Sequence, residues 1–153
     1  MNPDNINYID PTSYRLMIER LPNVQFFCRG VTIPDITVQE SETGFRYTNV
    51  PLLGDKISFS GLTISIMIDE DMEGYIEVYN WMRDCVTNGT QLSEYMSDVS
   101  VVITTSHNNK AKTFRFHNAF PTSIGSLQFS SAETGTNYLT ADVTMRFTDI
   151  TIE

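Results

Sequence analysis

The chain has 153 residues, 41% hydrophobic and 19% charged, with 19 acidic against 10 basic side chains and a formal net charge of −9. This composition excludes a disordered chain and a coiled coil, and the acidity repels phosphates, which excludes tight nucleic-acid binding. A chain of this length buries roughly 70% of the surface its unfolded state exposes, enough for one core without staples.

The acidity by itself is explained as a solubility device. Cys28 and Cys85 lie in unrelated contexts without zinc-type spacing and read as buried free thiols. The opening MNPDNINYID has neither a basic region nor an apolar stretch, and nowhere do 18 apolar residues run together, so neither a secretory signal nor a membrane span is expected. Asn88-Gly89-Thr90 matches a glycosylation sequon but reads as a helix-ending turn.

In chain order, residues 1–11 form a polar arm closed by Pro11, and residues 12–153 form a single domain. Ile6, Tyr8 and Ile9 are isolated apolar residues on an arm that would otherwise fray, which points to docking against a neighbouring chain. Tyr14, Leu16 and Ile18 alternate with polar residues, as do Val24, Phe26 and Cys28. With Leu-Pro-Asn between them, they predict an antiparallel hairpin. Phe27 on its outer face implies a cover, either a helix or another subunit.

The pattern lapses over 34–55, which still carries Phe45, Tyr47, Val50, Leu52 and Leu53. This stretch reads either as a long apolar contact loop or as a loop containing a short strand near 45–48. Over 56–69 the apolar phase flips across Gly61, predicting one bulged and bent strand. Asp69, Glu70, Asp71 and Glu73 then lead an amphipathic helix of roughly 17 residues. Its predicted apolar face is Met72, Tyr75, Ile76, Tyr79, Met82 and Val86, widened by Trp81 and Cys85. The acidic run reads as helix capping rather than a metal site, with Asn88-Gly89 as the stop.

Residues 98–105 and 111–117 alternate about His107-Asn108-Asn109-Lys110 and predict a hairpin. A third pair is predicted from 126–130 and 138–152, joined by a turn at Gly135. Leu139, Ala141, Val143, Met145 and Phe147 face one way, and the phase slips before Ile150 and Ile152, predicting a bend near Asp149.

No nucleophile elbow, phosphate-cradling loop or paired-histidine metal motif is present, so neither an enzyme nor a cofactor is expected. His107 and His117 are too far apart in sequence and too differently placed to read as a ligand pair.

Gly54-Asp55-Lys56, Phe59, Leu62, Asp69-Glu70 and Trp81 form one block. Pro121-Thr122, Gly125 and Leu127-Gln128 lead into the closing strand and form a second. Together with the opening YRLMIERLPN they occur in the order found in the tail tube proteins of contractile-tailed bacteriophages, which the chain resembles over most of its length. The same fold is shared by baseplate tube initiators and by type VI and other contractile injection tubes. The resemblance implies a mainly β fold with one flanking α-helix, of the β-sandwich or partly closed barrel type. It also implies stacked hexameric rings whose lumen conducts DNA into the host.

A ring of six such chains would carry about −54, a charge that lets DNA slide without sticking. The polar strand faces predict Ser58, Ser60, Thr63, Ser65, Thr140, Asp142 and Thr144 as lumen residues, with Arg146 working against a purely acidic lining. The resemblance further implies inter-ring or inter-subunit contacts through Ile6, Tyr8, Ile9, the 34–55 loop with Phe45, Tyr47, Val50, Leu52 and Leu53, and Ile150 and Ile152.

The implied partners are copies of the chain itself, a tail sheath protein, baseplate and terminator proteins, and, transiently in the lumen, a tape-measure protein and DNA. No membrane anchor is implied. The implied location is the virion, after assembly in the host cytoplasm. The alternatives are a baseplate initiator or terminator ring of the same fold and, from another class, a monomeric β-barrel binding module.

Overall fold

The computed structural model describes residues 7–88, 92–135 and 137–153. Tyr14–Ile18 form β1, Pro22–Phe26 a short helix α1, and Cys28–Thr32 β2. The predicted hairpin of β1 with the next strand does not form: β1 pairs with a later strand through Leu16↔Val101, and β2 with another through Val31↔Ile64. Pro22 explains the difference, because its fixed φ suits the first turn of a helix. Leu21 and Val24, three apart, are both buried. Six alternating residues cannot be told from one helical turn. Gln25 folds the turn back onto β1, its Oε1 accepting the Ile18 N–H at 3.0 Å.

Ile36–Gly44 form β3, Asn49–Phe59 β4 and Leu62–Met67 β5. The phase flip at Gly61 is real, but it marks a change of sheet rather than a bulge. β4 pairs with β3 in a two-stranded ribbon, and β5 enters the main sheet. Ser60 pins the crossing: its N–H donates to the Asp35 carbonyl at 3.1 Å and its hydroxyl accepts the Asp35 N–H at 2.8 Å. Gly61 lies so close to the next strand that a Cβ there would sit 2.8 Å from Thr144 Cγ2.

The predicted helix is present as α2, Glu73–Thr87, but its docked face differs from the expected one. Gly74, Val78 and Trp81 are buried, while Ile76, Tyr79 and Val86 are exposed, the last at 84%. Of the predicted face Trp81 is buried and Met82 and Cys85 pack against the core, so the docked stripe overlaps the expected one on its Trp81 side and is shifted toward Gly74 and Val78. Nor do acidic side chains cap it: the N-cap is Met72 in the left-handed region at φ 53°, with no side-chain cap hydrogen bond. Glu73 still places a negative charge in the first turn. At the other end the Asn88 N–H donates to the Asp84 carbonyl at 3.1 Å; Gly89 and Thr90 of the predicted turn lie outside the described residues. Arg20 stacks over Trp81, 5.5 Å from the ring centroid, and donates to the Glu94 carbonyl at 2.8 Å. Glu94 belongs to the short helix α3, Leu92–Tyr95.

β6 (Ser97–Thr104) and β7 (Lys110–Ile124) make the predicted hairpin, with Val101↔Phe114 in register. Its turn holds Asn108 at φ 61°, which asparagine tolerates. Residues 126–130 are not a strand, contrary to expectation. β7 continues through Pro121 at a register shift and itself pairs with β8, Thr140–Arg146; a bulge accommodates a residue with no N–H. The inward set Ala141, Val143 and Met145 is buried as predicted. After the predicted slip, β9 (Asp149–Ile152) leaves β8 and pairs with β7 through Phe116↔Ile150.

The main sheet is antiparallel, of order β1-β6-β7-β8-β5-β2 with β9 also on β7. It is a mostly β fold folded into two layers about β7, not a closed barrel. Across the open side the Tyr14 hydroxyl donates to the Arg29 carbonyl at 2.7 Å. One apolar cluster fills the space between the layers, built from Leu16, Ile18, Leu62, Ile64, Ile66, Val99, Phe116, Val143 and Met145, with Val24, Val78 and Trp81 closing one end.

Gly61→Ala is expected to destabilise the domain by about 1–2 kcal/mol through overpacking against Thr144. Gly30→Ala, whose added Cβ meets nothing within 4 Å, should stay within about 0.5 kcal/mol of the parent. Denaturant unfolding of both variants checks the contrast.

Candidate functional site

Chemistry-bearing groups are sparse. Among the described residues no group of three or more His, Cys, Asp or Glu side chains is placed to hold a metal ion. His107 is exposed in the β6–β7 turn. His117 joins three strands, with Nε2 2.7 Å from Thr151 Oγ1 and Nδ1 3.4 Å from Asp98 Oδ2. Both thiols are free and half-buried. Burial pushes the Cys28 thiol up, and burial likewise pushes up Cys85, with Arg20 opposing and Asp84 adding.

The informative surface is the β3–β4 ribbon. The stretch expected as a loop over 34–55 is instead paired strand almost throughout, and the alternative strand at 45–48 is the turn that joins them, closed by the Phe45 N–H donating to the Thr48 carbonyl at 2.9 Å. Alternation fails in this segment because neither ribbon face buries against the chain's own core. Near the base Ile36 faces Phe59 and Val38 faces Ile57; farther out, Ser41 faces Leu52 and Thr43 faces Val50, while Glu40 faces Leu53 on the opposite side. Apolar groups therefore emerge from both faces, with Leu53 88% exposed. A register shift lies between Val38 and Glu40. Gly54 sits opposite it, where any Cβ would overlap the Gln39 carbonyl.

At the tip Phe45 and Tyr47 are exposed, Tyr47 at 90%, with Arg46 5.8 Å from the Tyr47 ring centroid. On the arm Tyr8 and Ile9 are exposed, whereas Ile6 lies outside the described residues. The carboxy-terminal pair divides. Ile150 packs against the core and Ile152 is exposed, because β9 is zipped to β7 rather than free; Thr113 and Glu153 exchange backbone hydrogen bonds at 2.8 and 2.9 Å.

Among the predicted lumen residues, Thr63 faces Thr144 and Ser65 faces Asp142 across the β5–β8 pair, and Thr140 faces Met67. These share one polar face. Ser58 is on the ribbon opposite Thr37, and Ser60 is in the crossing, so neither belongs to it. Thr32, opposite Thr63, and Ser123, opposite Thr144, extend the face across β2 and β7. Both escaped the sequence reading, although Thr32 continues the small hydroxyl pattern. The exposed residues Ile76, Tyr79 and Val86 belong to the apolar face predicted for α2. Beside it, the end of α2 and the bend of β7 enclose an apolar cavity of about 290 Å³ lined by Met82, Cys85, Val86, Met96, Phe120 and Pro121.

A two-layer antiparallel body with one flanking helix and a projecting ribbon is the tube fold of contractile injection machines. The chain superimposes on the tube-terminating cap of the anti-feeding prophage with a TM-score of 0.69 at 16% identity, covering 99% of this chain and 95% of that one. For the sheath/tube terminator of an extracellular contractile injection system, PVC, the TM-score is 0.69 at 18% identity, covering 97% and 99%. For the sheath-tube complex of that system it is 0.65 at 18% identity, covering 97% and 93%. At these identities the likeness is one of fold. Residues 11–153 match the phage tail tube protein family, and the chain belongs to it. Among curated protein sequences nothing matches.

Gly54→Ala should leave the thermal transition of the body within a few degrees of the parent, because the ribbon contributes no residue to the core cluster. It should nevertheless misdirect the outer half of the ribbon. Hydrogen exchange of amides 40–53, faster in the variant with the body unchanged, checks this.

Proposed function

We propose that the protein is a structural subunit of a contractile phage tail tube, forming stacked hexameric rings whose lumen conducts DNA. The observation that carries this reading is the β3–β4 ribbon, which bares apolar side chains on both faces and buries none of them in its own core. A ribbon of this kind is stable in water only when a partner covers it and supplies its unpaired edges. Membership of a structural tail family makes copies of the same chain the natural partner.

The polar β2–β5–β8–β7 face then lines the lumen. Small hydroxyls, Asp142 and a chain charge of −9 give it little purchase on a passing polyanion. Tyr8, Ile9 and Ile152 extend the contact surface beyond the ribbon. Sheath, baseplate, terminator and tape-measure proteins are the further partners, the virion tail is the destination, and the host cytoplasm the place of assembly. The subunit acts without catalysis or cofactor.

Negative-stain microscopy of the purified protein tests the reading: hollow tubes are expected. Isolated rings would move the assignment to an initiator or terminator of the same fold, and a strict monomer at high concentration would favour a lone binding module. Leu52→Asp together with Leu53→Asp should abolish stacking while circular dichroism and the unfolding midpoint stay near those of the parent. Normal tubes from that double variant would overturn the role given to the ribbon.

A further inference from the structure

Two strand edges carry backbone groups that the chain does not use. In β1 the bonds to β6 are made by odd-numbered residues, since the Ser13 carbonyl accepts the Thr104 N–H at 3.0 Å and the register runs on from Tyr14↔Ile103. The N–H and C=O groups of Tyr14, Leu16 and Ile18 therefore point to the open side. Those of Ile18 are taken up, the N–H by Gln25 Oε1 at 3.0 Å and the carbonyl by the Leu21 N–H at 3.3 Å. Those of Tyr14 and Leu16 meet no partner among the described residues, although Leu16 is only 4% exposed, and an unpaired buried backbone group is costly. A cleft of about 520 Å³ opens beside this edge, walled by Tyr14, Arg15 and Leu16 and, across it, by Pro22, Gln25 and Phe26. Arg15 is its one charged lining residue, and no ion pair holds it among the described residues.

The second edge belongs to the ribbon. The Phe45 N–H donates to the Thr48 carbonyl, so Ser41 and Thr43 bond to β4 while Glu40, Glu42 and Gly44 point their backbone groups outward. The other ribbon edge is blunted: Pro51, opposite Glu42, occupies an outward position of β4 and has no N–H to offer.

We infer that the β3 edge of one copy adds to the β1 edge of a neighbouring copy as a parallel strand, with Glu42 beside Arg15. The contact rests on the tube reading above and deepens it by naming the edge that receives the ribbon. Charge sets the direction. In a parallel pair an outward-bonding residue lies beside a partner residue whose own bonds point away, which places Glu42 by Arg15, Glu40 by Ser13 and Gly44 by Met17. The Tyr14 N–H then donates to the Glu40 carbonyl and the Leu16 N–H to the Glu42 carbonyl, while the Tyr14 and Leu16 carbonyls accept the Glu42 and Gly44 N–H groups. Glu42 Oε2 accepts the Asn49 amide at 3.1 Å, which leaves Oε1 for the guanidinium. An antiparallel pair would instead set both glutamates beside Tyr14 and Leu16, over the apolar face of β1.

Other body edges fit less well. β9 carries Asp149 and is followed by Glu153, which would repel the two glutamates, and β2 is interrupted by a register shift between Cys28 and Gly30. Strand addition supplies affinity through the main chain and register through the side chains. The contact joins two different surfaces, so it repeats around a ring or along a tube rather than closing a two-fold dimer.

Paired cysteines read the register directly. In a Cys28→Ser, Cys85→Ser background, Ser13→Cys is combined with Glu40→Cys, and Met17→Cys with Gly44→Cys. Gly44 admits a side chain, because a Cβ there would meet only Asn49 Oδ1 at 3.8 Å. The assembled variants are oxidised with diamide, which takes up two thiol hydrogens as each disulfide forms. Neighbouring strands lie about 5 Å apart, within the roughly 7 Å that a disulfide spans between Cα atoms. Both variants are therefore expected to give a ladder of linked multimers on a non-reducing gel. The exchanged combinations, Ser13→Cys with Gly44→Cys and Met17→Cys with Glu40→Cys, separate the thiols by about 13 Å along the strands and should give none.

Tubes or rings without a ladder from the matched pairs, or with an equal ladder from the exchanged pairs, would overturn the parallel contact and leave the tube reading intact. Failure of the unsubstituted protein to assemble would remove the tube reading and the contact with it. As an independent check, Arg15→Glu should raise the concentration needed for assembly about tenfold at low salt, and Glu42→Arg in the same chain should restore it. Absence of that rescue counts against the pairing.

Discussion

Every element of the body is arranged around the bend in β7. The first part of this strand, through His117, lies between β6 and β9, Ala119 adds a last pair with β6, and the part from Phe120 is bonded to β8. Between them Asn118 takes the left-handed conformation at φ 53°, held by its N–H on Asp98 Oδ1 at 3.1 Å and its amide on Thr148 Oγ1 at 3.3 Å. Asparagine accepts that conformation at small cost, and Pro121 then forces the register shift that completes the turn. Because both layers share this strand, their inward faces must close on one another. Phe116 meets Phe147 edge to face at 5.0 Å, and Phe147 in turn meets Phe59, at the end of the ribbon, at 5.5 Å. The last contact is where the ribbon is anchored.

With the core closed about β7, the body is complete without the ribbon beyond its base. None of the buried cluster comes from β3 or β4, so the stability of the domain and the exposure of the ribbon's apolar residues are separable properties. The separation has a physical consequence. The ribbon can carry apolar residues on both faces without compromising the packing of the body, and the cost of their exposure falls on the unassembled chain alone. An isolated two-stranded ribbon is at best marginally stable in water, so coverage by a partner would stabilise it as well as hide it.

The parts of the fold that were legible in the sequence are those buried on one face only. β5, β6 and β8 show clean alternation because one side meets the core and the other water, and their inward sets, Ile64 and Ile66, Val99 and Val101, Ala141 and Val143, are buried, the last pair as predicted. The phase slips at Gly61 and near Asp149 were legible as well, but their meaning was not. A change of sheet and a bulge leave the same parity signature along one strand, and only the pairing partners distinguish them. The ribbon was misread for a related reason: neither of its faces packs on the chain's own core, so no internal period records its residues. On α2 apolar residues occur on more than one side, so bulk alone does not separate Trp81, which is buried, from Val86, which is exposed, and the buried Gly74 carries no hydrophobic signal. Of the polar face, Thr63, Ser65, Asp142 and Thr144 were legible from parity, whereas Ser58 and Ser60 were assigned across a break that parity does not cross.

Charge and shape together constrain how such a chain could assemble. Copies carrying −9 each repel one another, and the repulsion between exposed charges reaches only about 8–10 Å at physiological salt. A projecting ribbon brings apolar area into contact across a larger gap, so its burial can begin before the bodies are fully juxtaposed. A contact confined to two flat acidic faces would have no such lead. The single cation at the tip, Arg46, is placed where it would arrive first, and a positive charge there reverses locally the sign that the rest of the chain presents. Acidity therefore opposes indiscriminate association, while under the proposed function the ribbon would offer one geometry in which association is favourable. Such a division of labour gives specificity by penalising alternatives as much as by rewarding the correct contact.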